Sequence, residues 1–110
     1  IVSIHCPLND HTRGLITYSD LAMMKKSGLI INMGRGGIID EADLARALDE
    51  GIIAGAAADV FTKEPLPADH PFLNMAHPER IMLTPHIGWA SKEAQECLVR
   101  RIAENITNNI

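Results

Sequence analysis

Arg35, Glu64 and His86 are the residues of this sequence best suited to act on a small molecule. An arginine offers a planar, permanently charged fork that matches a carboxylate. A histidine can give or take a proton near neutral pH. A carboxylate beside that imidazole can fix its tautomer and favour its protonated form. Together they suit oxidation of a hydroxy acid or reduction of a 2-oxo acid. Their positions have something in common. His5-Cys6-Pro7, Met33-Gly34-Arg35-Gly36-Gly37, Asp59-Val60-Phe61-Thr62-Lys63-Glu64 and Thr84-Pro85-His86-Ile87-Gly88-Trp89 each follow an apolar run. In an open parallel sheet, ligands bind beyond the carboxyl ends of the strands. Asp59 closes such a run, and a carboxylate buried there without donors would be unfavourable, which favours a ligand role over packing. The glycines around Arg35 let the backbone turn tightly and approach a ligand.

The elements that would position these groups follow from periodicity and punctuation. Ile1 to His5 and Leu29 to Met33 are short apolar runs, the second patterned as a strand buried on both faces. Ser19 is placed to cap a helix through Lys26, stopped by Gly28. Asp40 caps the next helix, Glu41 and Asp43 favour its first turn, and Leu44 and Leu48 form its buried stripe up to Gly51. Ile52 to Val60 is a third apolar run and Ile81 to Thr84 a fourth. Thr62 to Pro78, with four prolines, reads as loop. A last helix begins near Ser91 and repeats Ala94, Leu98, Ile102 and Ile106 on one face. Strands alternating with helices predict an α/β fold with a parallel, Rossmann-like sheet.

Bulk properties narrow the function classes. The 110 residues are 46% hydrophobic and 4% aromatic, with a net charge of -4, so the core is expected from aliphatic residues and Met. Nucleic acid is not an expected partner, because phosphate binding needs clustered Lys and Arg. No apolar run is long enough to span a bilayer, and the expectation is no membrane partner. Cys6 and Cys97 are far apart, which predicts reduced thiols and a cytoplasmic setting. No histidine spacing suggests a metal site: His5 carries no evident chemistry, and His11, His70 and His77 fall in loops. Met23 and Met24 read as core filling. Opening in mid-strand and closing on a polar helix end, Asn105 to Ile110, the chain is expected to be a fragment.

Taken singly, Gly34-Arg35-Gly36-Gly37 is an ordinary strand-to-helix turn, Glu64 a loop carboxylate and His86 a capping or packing residue. Their joint occurrence at strand ends favours a site. The motifs also match a known pattern. Gly34-Arg35-Gly36-Gly37-Ile38-Ile39-Asp40-Glu41 resembles the Arg-Gly-Gly signature of D-isomer-specific 2-hydroxyacid dehydrogenases. Asp59-Val60-Phe61 with Glu64-Pro65 is similar to their second signature, and Pro85-His86-Ile87-Gly88 to their third. His5-Cys6-Pro7-Leu8, with Thr12 and Gly14-Leu15-Ile16, resembles the segment before them.

That resemblance implies hydride transfer between a nicotinamide cofactor and a small D-2-hydroxy or 2-oxo acid. The catalytic set it implies is Arg35, Glu64 and His86. The cofactor would be NAD, with NADP left open, lined by Cys6, Pro7, Met33, Gly34, Arg35, Asp59, His86 and Gly88. The substrate would meet Arg35, His86 and Trp89. Trp89-Ala90-Ser91 is similar to the glycerate dehydrogenase/hydroxypyruvate reductase branch, which implies glycerate, hydroxypyruvate or glyoxylate as substrate type. Residues 1–110 would be the C-terminal half of the NAD-binding domain, the second half of its doubly wound parallel sheet, with 90–110 the helix leading back to a substrate domain, in a larger two-domain enzyme that is a homodimer when intact. The family's Gly-x-Gly-x-x-Gly turn is absent from these 110 residues, as is the acidic residue that meets the adenosine ribose. The fragment alone is therefore expected to be inactive and to bind NAD weakly. NAD-sensing corepressors of the same fold, which keep the three residues and work by binding partners, are the alternative reading.

Overall fold

A computed structural model describes residues 1–108. Four parallel strands, β1 (Val2–Ile4), β2 (Leu29–Asn32), β3 (Gly55–Ala58) and β4 (Ile81–Leu83), form one sheet in the order β1-β2-β3-β4. Sequential order with parallel pairing requires a crossover after every strand. Helix α1 (Tyr18–Ala22) lies in the first crossover and α2 (Glu41–Asp49) in the second. The third is a loop with two 3₁₀ turns, Pro71–Leu73 and Pro78–Arg80. Helix α3 (Lys92–Asn108) follows β4. The predicted α/β parallel architecture is therefore the one observed.

The register explains which face is covered. Val2 pairs with Ile30, Ile30 with Ala56 and Ala56 with Ile81; one step along, Ile4, Asn32, Ala58 and Leu83 align. Paired residues share a face. This face meets the core formed by Leu21, Ile38, Ile39, Leu44, Ala47, Leu48, Ile53 and Phe72. The other face presents Leu29, Ile31, Ala57 and Met82, and Met82 is 68% exposed. The expectation of a β2 buried on both faces is thus corrected, because within the described residues helices lie against one side alone.

Asp40 caps α2 as predicted, its carboxylate accepting from Asp43 N–H at 2.9 Å, and Gly51 takes φ +66 just past the end. Leu44 and Leu48 are buried. Helix α1 departs from expectation: its cap is Thr17, not Ser19, with Asp20 accepting from the Thr17 amide and hydroxyl. It stops at Ala22 because only Leu21 is buried, while Met23 points to solvent. A short helix without an apolar face does not propagate. Met24 packs against the core, so core filling applies to one methionine of the pair. Helix α3 starts where expected, with Ser91 Oγ accepting from Ala94 N–H, but none of its residues is buried. The end of the predicted 90–110 helix, residues 109 and 110, lies outside the described residues. Cys6 and Cys97 are both free and half-buried.

Candidate active site

The carboxyl ends of all four strands supply the site. Past β2, buried Asn32 folds its side chain over the turn that carries Arg35: its Oδ1 accepts from Gly34 N–H (3.1 Å) and its Nδ2 donates to the Arg35 carbonyl (3.0 Å). The Arg35 guanidinium donates to the Gly34 carbonyl at 2.9 Å, which orients the fork. Gly36 has a different task from the one expected. A Cβ built there would lie 1.9 Å from the Phe61 carbonyl carbon, so its bare backbone receives the chain's own Phe61-Thr62 peptide. Gly34 similarly makes room for the Cys6 carbonyl. The turn itself is made at Gly37, with φ +80.

Past β3, Asp59 is 3% exposed and fully supplied with donors. Its Oδ1 accepts from the Thr84 hydroxyl and from Ile87 N–H (2.9 Å), and its Oδ2 from Gly88 N–H (2.8 Å). Burial pushes this carboxyl up, but the Thr84 hydroxyl, the two amides and nearby His86 outweigh it and hold Asp59 below the ordinary carboxylate range. The premise that a buried Asp59 needs a ligand is therefore corrected: the donors belong to the loop after β4, which the carboxylate pins in place.

That loop holds His86 at φ 56, a left-handed conformation that is unfavourable for a residue with a Cβ and clusters at functional sites. The Trp89 indole N–H donates to the His86 carbonyl at 2.7 Å, a further restraint. The ring's Nδ1 meets Glu64 Oε2 at 2.8 Å, while Glu64 Oε1 accepts from Phe61 N–H at 3.0 Å. The His86 hydrogen bond first, then the Phe61 amide, aided by the charges of His86 and Arg35, hold the Glu64 carboxyl below its ordinary range against the opposing effect of burial.

Two adjoining recesses result. One, of about 350 Å³, is lined by His5, Met33, Arg35, Asp59, His86, Gly88 and Trp89. The second is lined by His5, Cys6, Pro7, Leu8, Met33, Gly34 and Arg35. All eight residues expected at a cofactor line one or the other. Arg35 and His86 share the first recess with Trp89, and Glu64 stands behind His86. The sequence reading missed His5, which lines both recesses and occupies the same strand-end position as the others. It also missed Asn32 and Thr84, and it left His70 as a loop residue although His70 is buried at the start of a 3₁₀ turn. Among the described residues, no group of three or more His, Cys, Asp or Glu side chains is arranged to hold a metal ion. None of the described helices is long and apolar enough to cross a membrane.

Residues 1–88 match the family model of the D-isomer specific 2-hydroxyacid dehydrogenase, NAD binding domain. The chain belongs to this family. Among its relatives, a glyoxylate reductase of Aeropyrum pernix is 44% identical over 96% of this chain and 31% of its own length. A glycerate dehydrogenase of Methylorubrum extorquens is 41% identical over 96% of this chain and 33% of its own. The crystal structure of a glyoxylate reductase from Paecilomyes thermophila superposes with a TM-score of 0.81 at 37% identity, covering 96% of this chain and 31% of that one. The chain spans about a third of the length of these relatives.

Proposed function

We propose that residues 1–110 are the C-terminal part of the NAD-binding domain of a longer D-2-hydroxyacid dehydrogenase, one that interconverts a small 2-oxo acid and its D-2-hydroxy acid. The observation that carries this reading is the shared recess: a guanidinium and an imidazole face one cavity, and the imidazole is backed by a carboxylate 2.8 Å away. The two recesses suit the nicotinamide end of a dinucleotide, since they open at the carboxyl ends of parallel strands and are walled by Cys6, Pro7, Met33 and Gly34. When bound, the dihydronicotinamide supplies the hydride.

The chain's own residues do the rest. Arg35 holds the substrate carboxylate by paired, charge-assisted hydrogen bonds and polarises the neighbouring carbonyl. Glu64 accepts the Nδ1 proton of His86, so Nε2 is the nitrogen left to face the recess. During reduction, protonated His86 delivers its Nε2 proton to the carbonyl oxygen; during oxidation it takes that proton back. Trp89 walls the side of the recess on which a small substrate would sit. Glyoxylate and hydroxypyruvate are the substrates this reading favours, as relatives' names include glyoxylate reductase and glyoxylate/hydroxypyruvate reductase.

The test is NADH or NADPH consumption by the full-length protein with glyoxylate and hydroxypyruvate. Rapid turnover, with KM raised on the order of 100-fold in Arg35→Ala by loss of the bidentate contact, is the expected result. Unchanged KM and kcat in that variant would remove Arg35 from its role. Slow turnover together with binding of a peptide motif would favour a corepressor.

A further inference from the structure

Neither Glu41 nor His70 lines the recesses, yet His70 is buried and Glu41 largely covered where a loop and a helix start would ordinarily leave them in water. Glu41, at the first position of α2, has a side chain 12% exposed, and both of its oxygens are engaged. Oε1 accepts from Thr62 N–H at 2.7 Å, and Oε2 meets His70 Nε2 at 2.8 Å. The tautomer of His70 follows from its other nitrogen. Nδ1 lies 3.2 Å from Phe72 N–H, which can only donate, so Nδ1 is the acceptor and Nε2 carries the proton given to Glu41. The ring packs in a triangle with Phe61 and Phe72, with centroids 6.1 and 4.9 Å away.

The turn fastened in this way is the one that carries Glu64. The Thr62 amide donates to Glu41, the Phe61 amide donates to Glu64, and Glu64 reaches His86. On the opposite side, the same Phe61-Thr62 peptide rests on bare Gly36, beside Arg35. We propose that Glu41 and His70 are positioning residues that lock the Phe61–Glu64 turn to the start of α2, and so hold Glu64 in register with both His86 and the Arg35 turn. Their catalytic consequence rests on the dehydrogenase reading above; the placement of Glu64 does not. Outer partners of this kind orient the reactive group and are commonly worth one or two orders of magnitude in activity.

The experiment observes Glu64 directly, by carboxyl-carbon NMR of the 110-residue chain together with the His86 ring-proton resonance. In Glu41→Ala and His70→Asn, the Glu64 titration is expected to shift upward toward an ordinary glutamate and the hydrogen-bonded His86 proton signal to be lost. Glu41→Gln, which keeps one acceptor, is expected to fall between parent and alanine variant; it is the variant read if Glu41→Ala does not fold. In the full-length enzyme the same variants are expected to lose kcat on the order of tenfold, with nicotinamide cofactor affinity unchanged. Folded variants whose Glu64 titration and His86 signal match the parent would overturn the proposal. An inactive parent with the predicted NMR shifts would instead count against the dehydrogenase reading alone.

Discussion

The Glu64 carboxyl makes the pH behaviour of the site predictable. Its folded-state pKa is depressed, chiefly by the His86 hydrogen bond, so the pair's contribution is complete above the unfolded value of about 4.3 and is lost as pH falls through the lower folded value. Glu64→Gln is therefore expected to flatten the acid limb of a thermal-melt series, and an unchanged limb would mean the pair does not form. Asp59 has the same sign, and Asp59→Ala leaves the Ile87 and Gly88 amides without their acceptor. Those two amides are expected to exchange with solvent much faster in that variant, by hydrogen-exchange NMR. Arg35, Glu64 and His86 were legible because charged groups recurred just past apolar runs. The Asp59 anchorage was not, since its donors lie 25 to 29 residues onward and two are backbone amides, which no residue type reveals.

At the scale of elements, the loop after β2 and the loop after β3 are joined by backbone contact. Gly36→Ala would drive a Cβ into the Phe61 carbonyl, which cannot yield as a flexible side-chain tip would. The expected loss is at or above the upper end of the roughly 1–3 kcal/mol for overpacking, read by urea unfolding. Asp40→Ala, by contrast, removes one cap and should cost about 0.5–2 kcal/mol. A loss for Gly36→Ala no larger than for Asp40→Ala would show that the loops do not meet as described. The α2 cap was readable because capping is local and depends on side-chain type. The truncation of α1 was not, because it turns on which residues find a core to face, and Met23 and the lysines after it find none.

Across the molecule, among the described residues, one sheet face is packed and the other, with the apolar stripe Leu98, Ile102 and Ile106 of α3, stays open. A 17-residue helix without tertiary burial is marginal in water, so α3 amides are expected to exchange faster than those of α2. Equal protection would mean that α3 is covered in solution. Strand order came from the alternation of apolar runs and helices, but nothing in that alternation tells which face lacks a neighbour. What the architecture accomplishes is to bring one guanidinium, one carboxylate and one imidazole from three separate loops to a single rim. The most direct measurement of that convergence is single-turnover hydride transfer to glyoxylate or hydroxypyruvate in the full-length His86→Gln enzyme. Under the dehydrogenase function proposed above, loss of the proton donor predicts a rate lower by about 10²–10⁴; a rate within tenfold of the parent would contradict it.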